Sequence, residues 1–380
     1  MSRAYTPPPL PDPERTHPPM HSSTLRRGRR WRLAPAVALT ALLALTGCAS
    51  TDDGPAAAKS SGPQGPVPAA EGTTTYPLKL TTWAGETTLP KRPERIAVIG
   101  MSPNADALQA LQVTPVYALT DEPRVGWRDA AWVKKIEKVD EATRKDPINF
   151  EGIAAVKPDL IVALGAIFEK PEFKKLADIA PVLDAPKNEE LPWQEVQRLV
   201  GKTLDLGAAA DKAVTTAEQA LADAAKAHPQ FAGKTITIAN DYGANGGLSY
   251  YTVAGSITEG VMTKLGFTPN PNAKKFVDED VVPDENLSLL DADLLVVTYS
   301  SEAVRKAREA KPLFKALKPV TEGRYIALTL VENDPTKLTT ADGKQVENAV
   351  WMLRMGASPA SLTWGAKVLS EQWLAGAKLS

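Results

Sequence analysis

Recognition and catalysis in this chain have to manage with one cysteine, Cys48, and three histidines, His17, His21 and His228. A lone cysteine forms no intrachain disulfide, four-cysteine zinc site or cysteine-ligated cluster. Past Cys48 the only imidazole is His228, beside Pro229 at a predicted helix end, so a Ser-His or Cys-His nucleophile lacks its histidine. There is no Gly-x-Ser-x-Gly, and Gly243-Ala-Asn-Gly-Gly247 lacks the lysine and spacing of a phosphate loop. Direct capture of manganese or zinc calls for several histidines beside carboxylates, which the sequence does not offer. Hydrolysis by a carboxylate pair is the enzymatic chemistry left open, because aspartate and glutamate are plentiful. The carboxylates that show a pattern are Glu151 and Glu285. They lie 134 residues apart, and each opens the same run of residue types.

That run is Glu-x-[Ile/Leu]-x-x-[Val/Leu]-x-x-Asp-Leu-[Ile/Leu]-Val, within Asn149–Leu164 and again within Asp284–Tyr299. Ile153 with Val156, and Leu287 with Leu290, have the spacing of neighbours on one helix face. Each glutamate falls in the first turn, where negative charge complements the helix dipole. Lys157-Pro158-Asp159 and Asp291-Ala292-Asp293 then stop the helix, and Pro158 disfavours helical geometry at the residue before it. Leu160–Leu164 and Leu294–Val297 follow as unbroken apolar runs, expected of parallel strands buried on both faces. A helix-turn-strand unit written twice points to two related lobes.

The elements around the repeat fit that reading. Leu78–Trp83 and Glu86–Leu89 read as a hairpin turning at Ala84-Gly85. Strands are expected at Arg95–Ile99, Pro115–Leu119 and Val182-Leu183, and helices at Asn104–Gln112 and Lys170–Ile179, with Thr120–Arg144 a long polar segment. Strand and helix in alternation predict a parallel sheet with helices on its faces. Trp193–Leu204 and Ala208–Ala227 are helices with no strand between them. The second, with Val214, Ala217 and Leu221 at helical spacing, would reach about 30 Å and act as a strut between lobes. Beyond it the style repeats. Strands fall at Thr235–Ala239, Ser249–Val253 and Tyr325–Leu328, helices at Ser256–Leu265, Ser301–Ala310 and Ser358–Leu374, and a loop at Thr329–Val346. The fold class is therefore α/β, two parallel-sheet lobes joined by a single long helix. An N-terminal lobe spans 76–191, a helical segment 192–230 and a C-terminal lobe 231–380.

Charge divides the chain unevenly. Seven arginines against Asp12 and Glu14 fill the first 47 residues, which leaves a net −6 beyond them. Such a body lacks the basic footprint that nucleic acid demands. Arg26, Arg27, Arg29, Arg30 and Arg32 precede an apolar stretch, Leu33–Leu45, too short to span a bilayer, and Leu45-Thr46-Gly47-Cys48 closes it. This ordering is that of a secretory signal. Its end resembles a bacterial lipoprotein cleavage box, in which Cys48 would become the lipid-bearing first residue. Residues 48–75, mostly Ala, Gly, Pro, Ser and Thr, read as a flexible tether, with order beginning near Tyr76.

Several short stretches occur in order behind that box: Arg95-Ile-Ala-Val-Ile99, Pro147-Ile-Asn-Phe-Glu151, Lys157-Pro-Asp-Leu160, Ile179-Ala-Pro-Val182, Ala232-Gly-Lys-Thr235, Leu289-Leu-Asp-Ala-Asp-Leu294 and Ser358-Pro359. Over roughly residues 85–378 the chain resembles the substrate-binding lipoproteins of iron-siderophore and cobalamin ABC importers. The resemblance implies a class III periplasmic-binding-protein-like fold whose single connecting helix permits only small closure. It implies an extracytoplasmic, lipid-anchored monomer without catalytic residues, resident metal or cofactor. Such a protein captures a ferric siderophore between its lobes and delivers it to an ABC permease and its ATPase. Haem, bound through a tyrosine or methionine, or cobalamin would be the alternative cargo. Glu151 and Glu285 would project from the upper surface of the two lobes and pair with permease arginines. Two matched carboxylates on twin lobes suit such a symmetric partner. One departure is Gln112, where the family usually ends its first helix with glycine.

Ligands of open α/β lobes sit at the carboxyl ends of the strands. Loops expected there supply Arg124, Trp127 and Arg144, with Phe168 nearby, from the first lobe, and Tyr242, Tyr299, Arg324 and Trp351 from the second. Aromatic faces suit a flat, partly apolar chelate, and arginines suit the anionic oxygens of hydroxamate, catecholate or carboxylate groups.

Overall fold

The computed structural model describes residues 65–120, 125–141, 147–187 and 191–379. The signal segment with Cys48, and the candidates Arg124 and Arg144, lie outside the described residues.

A hairpin of β1 (Leu78–Thr82) and β2 (Gly85–Leu89) leads into the first lobe. There follow β3 (Ile96–Val98), α1 (Ser102–Ala110), β4 (Tyr117–Thr120), α2 (Ala130–Val133), β5 (Lys138–Glu141), α3 (Phe150–Ala155), β6 (Leu160–Val162), α4 (Lys170–Ala177) and β7 (Val182–Leu183). In space the strands run β5-β4-β3-β6-β7, all parallel. Strand order reverses at β3, which opens a crevice at the carboxyl ends of β3 and β6. Every residue of these two strands is buried, the physical origin of their unbroken apolar runs. The stretch expected to be a polar segment, Thr120–Arg144, instead holds α2 and β5, and both its tryptophans are buried. Trp132 Nε1 donates to Val113 O at 2.9 Å, and Asp129 caps α2 by accepting from Ala131 N. Gln112 takes the left-handed conformation, φ 57°, that the expected glycine would take freely. The helix closes around it through Val113 N to Leu108 O at 2.9 Å.

Two helices, α5 (Trp193–Thr203) and α6 (Gly207–Ala227), lead to the second lobe. Ala210, Val214, Ala217 and Leu221 are buried along one face of α6. The second lobe contains β8 (Ile236–Asp241), β9 (Leu248–Tyr250), α7 (Ile257–Lys264), β10 (Leu294–Tyr299), α8 (Glu302–Ala310), α9 (Pro312–Lys315), α10 (Lys318–Thr321) and β11 (Tyr325–Val331). It ends with β12 (Asp334–Thr340), β13 (Gln345–Glu347), α11 (Val350–Arg354) and α12 (Pro359–Val368), which packs along α6 and reaches α1. Strand order is β13-β12-β11-β10-β8-β9. Only β8, β10 and β11 are parallel, and β9, β12 and β13 pair antiparallel, so this sheet is mixed rather than purely parallel. The loop expected at Thr329–Val346 contains β12 and β13. Each is a short strand with one buried apolar residue, Leu338 opposite Val346, which leaves little alternation to read.

The repeated unit does the same work in both lobes. The Asp159 carboxylate accepts from the backbone N–H groups of Glu94 and Arg95 at the entry to β3. Asp293 accepts from the backbone N–H and hydroxyl of Thr235 at the entry to β8. Each aspartate thereby sets the register of its own strand against its neighbour, Leu160 beside Ile96 and Leu294 beside Ile236.

Order also begins earlier than the expected Tyr76. Pro66 O accepts from Thr114 N, and Arg92 donates to Pro68 O. Glu71 caps the start of α6 in trans, accepting from Ala208 N at 2.7 Å and Ala209 N at 2.9 Å. In return Asp205, at φ 54°, accepts from the N–H groups of Gly72, Thr73 and Thr74. A segment without apolar periodicity is held by backbone hydrogen bonds, to which a hydrophobic pattern is blind.

Burial alone would raise the Asp205 carboxyl, but donation by Thr74, Gly72 and Thr73 holds it below the ordinary carboxylate range. A depressed pKa contributes stability above the unfolded value, and that contribution disappears as pH falls through the folded one. Asp205→Asn therefore lowers Tm at pH 7, and the gap to wild type narrows as the solution is acidified below about pH 4, the unfolded carboxylate range, read by circular dichroism melts. At the left-handed position, Gln112→Gly should raise the free energy of unfolding by about 1 kcal/mol in urea titrations.

Candidate ligand-binding crevice

In the first lobe the crevice is framed by the turns that follow β3 and β6. Gly100 sits at φ 103°, and a Cβ there would come within 2.7 Å of Ala166 Cβ and 2.9 Å of Asn104 Nδ2. Asn104 is buried and donates to Ile99 O at 2.9 Å and Leu164 O at 3.0 Å, which ties the two turns together. Asp184, just past β7, accepts from Gly165 N, Ala185 N and the Trp83 indole. Burial raises its carboxyl, and these three donors oppose the rise. Beyond Gly165 the chain presents Phe168, 57% exposed.

In the second lobe the turn after β8 carries Tyr242, half-buried, its hydroxyl 2.5 Å from that of Tyr251. The Arg354 guanidinium lies over the Tyr251 ring at 5.0 Å and pairs with Asp280 at 3.4 Å. Burial, then the Tyr242 hydroxyl, pushes the Tyr251 phenol well above its ordinary value, so it stays a neutral donor. One turn before Arg354 on α11, Trp351 Nε1 donates to Ser102 Oγ at 2.9 Å, a direct bond from the second lobe to the first. Behind it lies a buried seam. Asp106 of α1 accepts from Trp127 Nε1 at 2.7 Å and Ser358 Oγ at 2.6 Å, and pairs with Arg128 at 2.6 Å.

The turns after β3 and β6 in the first lobe, and the turn after β8 with α11 in the second, thus carry aromatic side chains and a guanidinium, and the Trp351–Ser102 and Ser358–Asp106 bonds join the lobes. Among the described residues no three His, Cys, Asp or Glu side chains converge as a metal site. Nor is any described helix long and apolar enough to cross a membrane.

The profile of a periplasmic binding protein family matches residues 96–329, more than half of the chain. The chain belongs to that periplasmic binding protein family. A periplasmic solute binding protein from Mycobacterium smegmatis superposes on it with a TM-score of 0.61 at 25% identity, covering 77% of this chain and 96% of its own. PiaA of Streptococcus pneumoniae, solved in complex with ferrichrome, follows at 0.59 and 21%, covering 77% and 97%. SirA of Staphylococcus aureus, complexed with staphyloferrin B, gives 0.57 and 19%, covering 77% and 97%. No curated protein matches the chain by sequence.

Of the residues singled out from sequence, Phe168 is exposed beyond Gly165, Tyr242 lies half-buried in the turn after β8, and Trp351 on α11 is half-buried and bonded to Ser102. Trp127 is 7% exposed, packs on Trp364 at 5.3 Å and belongs to the core shared with the second lobe. Tyr299 is 1% exposed, its side chain on the far face of the sheet with its hydroxyl 2.6 Å from that of Tyr325. Arg324 sits at the amino end of β11, away from the crevice, bound to Glu322 and to the carbonyls of Ala292 and Asp293. Glu151 and Glu285 are both exposed, in the first turn of α3 and of the 3-10 turn Asp284–Leu290.

Residues that sequence reasoning passed over are Ser102, Tyr251 and Arg354. Arg354 stands three residues after Trp351, the spacing of one helix face, and that signal could have found it. Trp127→Ala should cost about 3–5 kcal/mol in denaturant unfolding, as removal of a buried indole does. Phe168→Ala should change it by less than about 0.5 kcal/mol, as at an exposed position.

Proposed function

We propose that this protein is the substrate-binding component of an ABC importer, and that its cargo is a ferric siderophore held between the lobes. The observation that carries the reading is the crevice itself. The turns that border it carry Phe168, Tyr242 and Trp351, with Arg354 over the buried Tyr251 ring, and among the described residues there is no cluster of His, Cys, Asp or Glu able to ligate a bare metal. Such a lining grips the chelator and leaves the iron coordinated by it. Related folds solved with ferrichrome and with staphyloferrin B support that class of cargo. The protein acts as a receptor and not as an enzyme. Its signal segment ends at Cys48, whose lipid holds it on the outer face of the cell membrane, and Glu151 and Glu285 meet basic residues of the permease.

A fluorescence titration tests the cargo. In the chain from Ala49 onward every tryptophan but Trp31 is retained, and Trp351 lines the crevice. Ferric siderophores of one class should quench emission saturably while their iron-free forms do so more weakly, and Trp351→Phe should remove a large part of the signal. No quenching across hydroxamate, catecholate and carboxylate siderophores, with saturable quenching by haemin or cobalamin, would overturn the assignment.

A further inference from the structure

Arg308 adds a side-chain bridge between two places that the backbone also links, since Val282 N donates to Leu248 O of β9, the partner of Asp241. The Arg308 side chain is only 8% exposed, on α8. Nε donates to Asp241 Oδ2 at 2.7 Å, and Nη1 donates to Asp284 Oδ1 at 2.6 Å. Asp241 is the last residue of β8. Its other oxygen accepts from Gly243 N at 2.9 Å, and its carbonyl accepts from Ser300 N at 3.0 Å. That carboxylate therefore shapes the turn that presents Tyr242 to the crevice. Val304, one turn before Arg308, lies so close that a Cβ on Gly243 would meet it at 2.7 Å. At the other end of the bridge, Asp284 opens the 3-10 turn whose next residue is Glu285. Lys311 holds its second oxygen.

The first lobe supports its glutamate differently. Asn149 caps α3 through Gly152 N at 2.8 Å and donates to Asp140 at 2.8 Å, and Asp140 accepts from Tyr117 OH at 2.8 Å. This support ends on β5 and β4 and involves none of the turns after β3 or β6. One exposed glutamate is thus pinned to a sheet edge, and the other is tied to the turn after β8 by a guanidinium that works beside the backbone pairing of Val282 with Leu248.

We infer that Arg308 is a positioning residue that couples the Tyr242 turn to the Glu285 turn, so that a change at the crevice is felt on the surface offered to the partner. A desolvated ion pair is a poor way to gain stability, since an apolar substitute of similar volume does as well. A guanidinium shared between two segments does fix their relative position. Because coupling is reciprocal, a partner engaging Glu285 would shift Tyr242 by the same free energy. The inference rests on the reading of Glu285 as partner-facing, but the link between the two turns exists or fails without any ligand.

Hydrogen exchange on the full chain tests it as a cycle. Tyr242→Ala should change exchange of the amides at 286–290 by about threefold or more. In an Arg308→Met background the same substitution should change that exchange by a clearly smaller factor, the backbone path through β9 remaining, and Asp284→Ala, which removes the acceptor at the exposed end, should weaken the coupling likewise. The amides of α3 should not respond to Tyr242→Ala in any background. Equal responses with and without Arg308 would overturn the inference, as would none in wild type. A coupled pair of turns in a protein whose fluorescence ignores every ferric siderophore would instead overturn the assigned cargo.

Discussion

A carboxylate buried between the lobes governs how they meet. Asp106 is fully removed from water, and an ionised group in that position is tolerable only with its hydrogen-bonding capacity taken up. Its partners come from two parts of the chain outside α1: the Trp127–Arg128 segment after β4 and Ser358 at the start of α12. Ser358 is bound twice over, because it also forms a capping box with Ser361. Once this site is satisfied, α12 can lie only along α6, and Trp351 on α11 is brought level with Ser102. The crevice is therefore a consequence of the seam behind it. Opening the seam would take Ser358 away from this buried carboxylate while Trp127 and Arg128 stay with it, so the contact resists separation of the lobes.

Much of this was legible in the chain because the repeat is local. Glu-x-[Ile/Leu]-x-x-[Val/Leu]-x-x-Asp carries its own helix start, apolar face and stop, and the aspartate's task at the neighbouring strand follows from where the helix ends. Strands β3, β6, β8 and β10 were equally plain, since burial on both faces leaves few polar residues to blur them. What stayed hidden depends on partners distant in sequence. Trp127 looks like a loop residue until Asp106 and Trp364 are placed beside it. Arg324 and Tyr299 belong to strands that do reach the site, but their ends and faces could not be told apart without the register. Arg354 is readable, one helical turn from Trp351.

A chain with almost no imidazole and one thiol is suited to recognition by shape, stacking and hydrogen bonding. In the second lobe the Tyr242 and Tyr251 hydroxyls meet, the Arg354 guanidinium covers the buried Tyr251 ring, and Asp280 offsets its charge. The asymmetry between the supports of Glu151 and Glu285 adds that twin lobes need not be twin in behaviour.

The exchange between Glu71 and Asp205 has a mechanical meaning. Any pull on the chain from ahead of Gly65 reaches this clasp before it reaches a strand. Three backbone N–H groups converge on one carboxylate there, and two more converge on the other, so the bonds must rupture together instead of peeling in turn. The load then passes into the first turn of α6, the longest helix among the described residues, and is distributed along its packing with α5 and α12. Tension applied at that end would thus be borne first by the longest helix among the described residues.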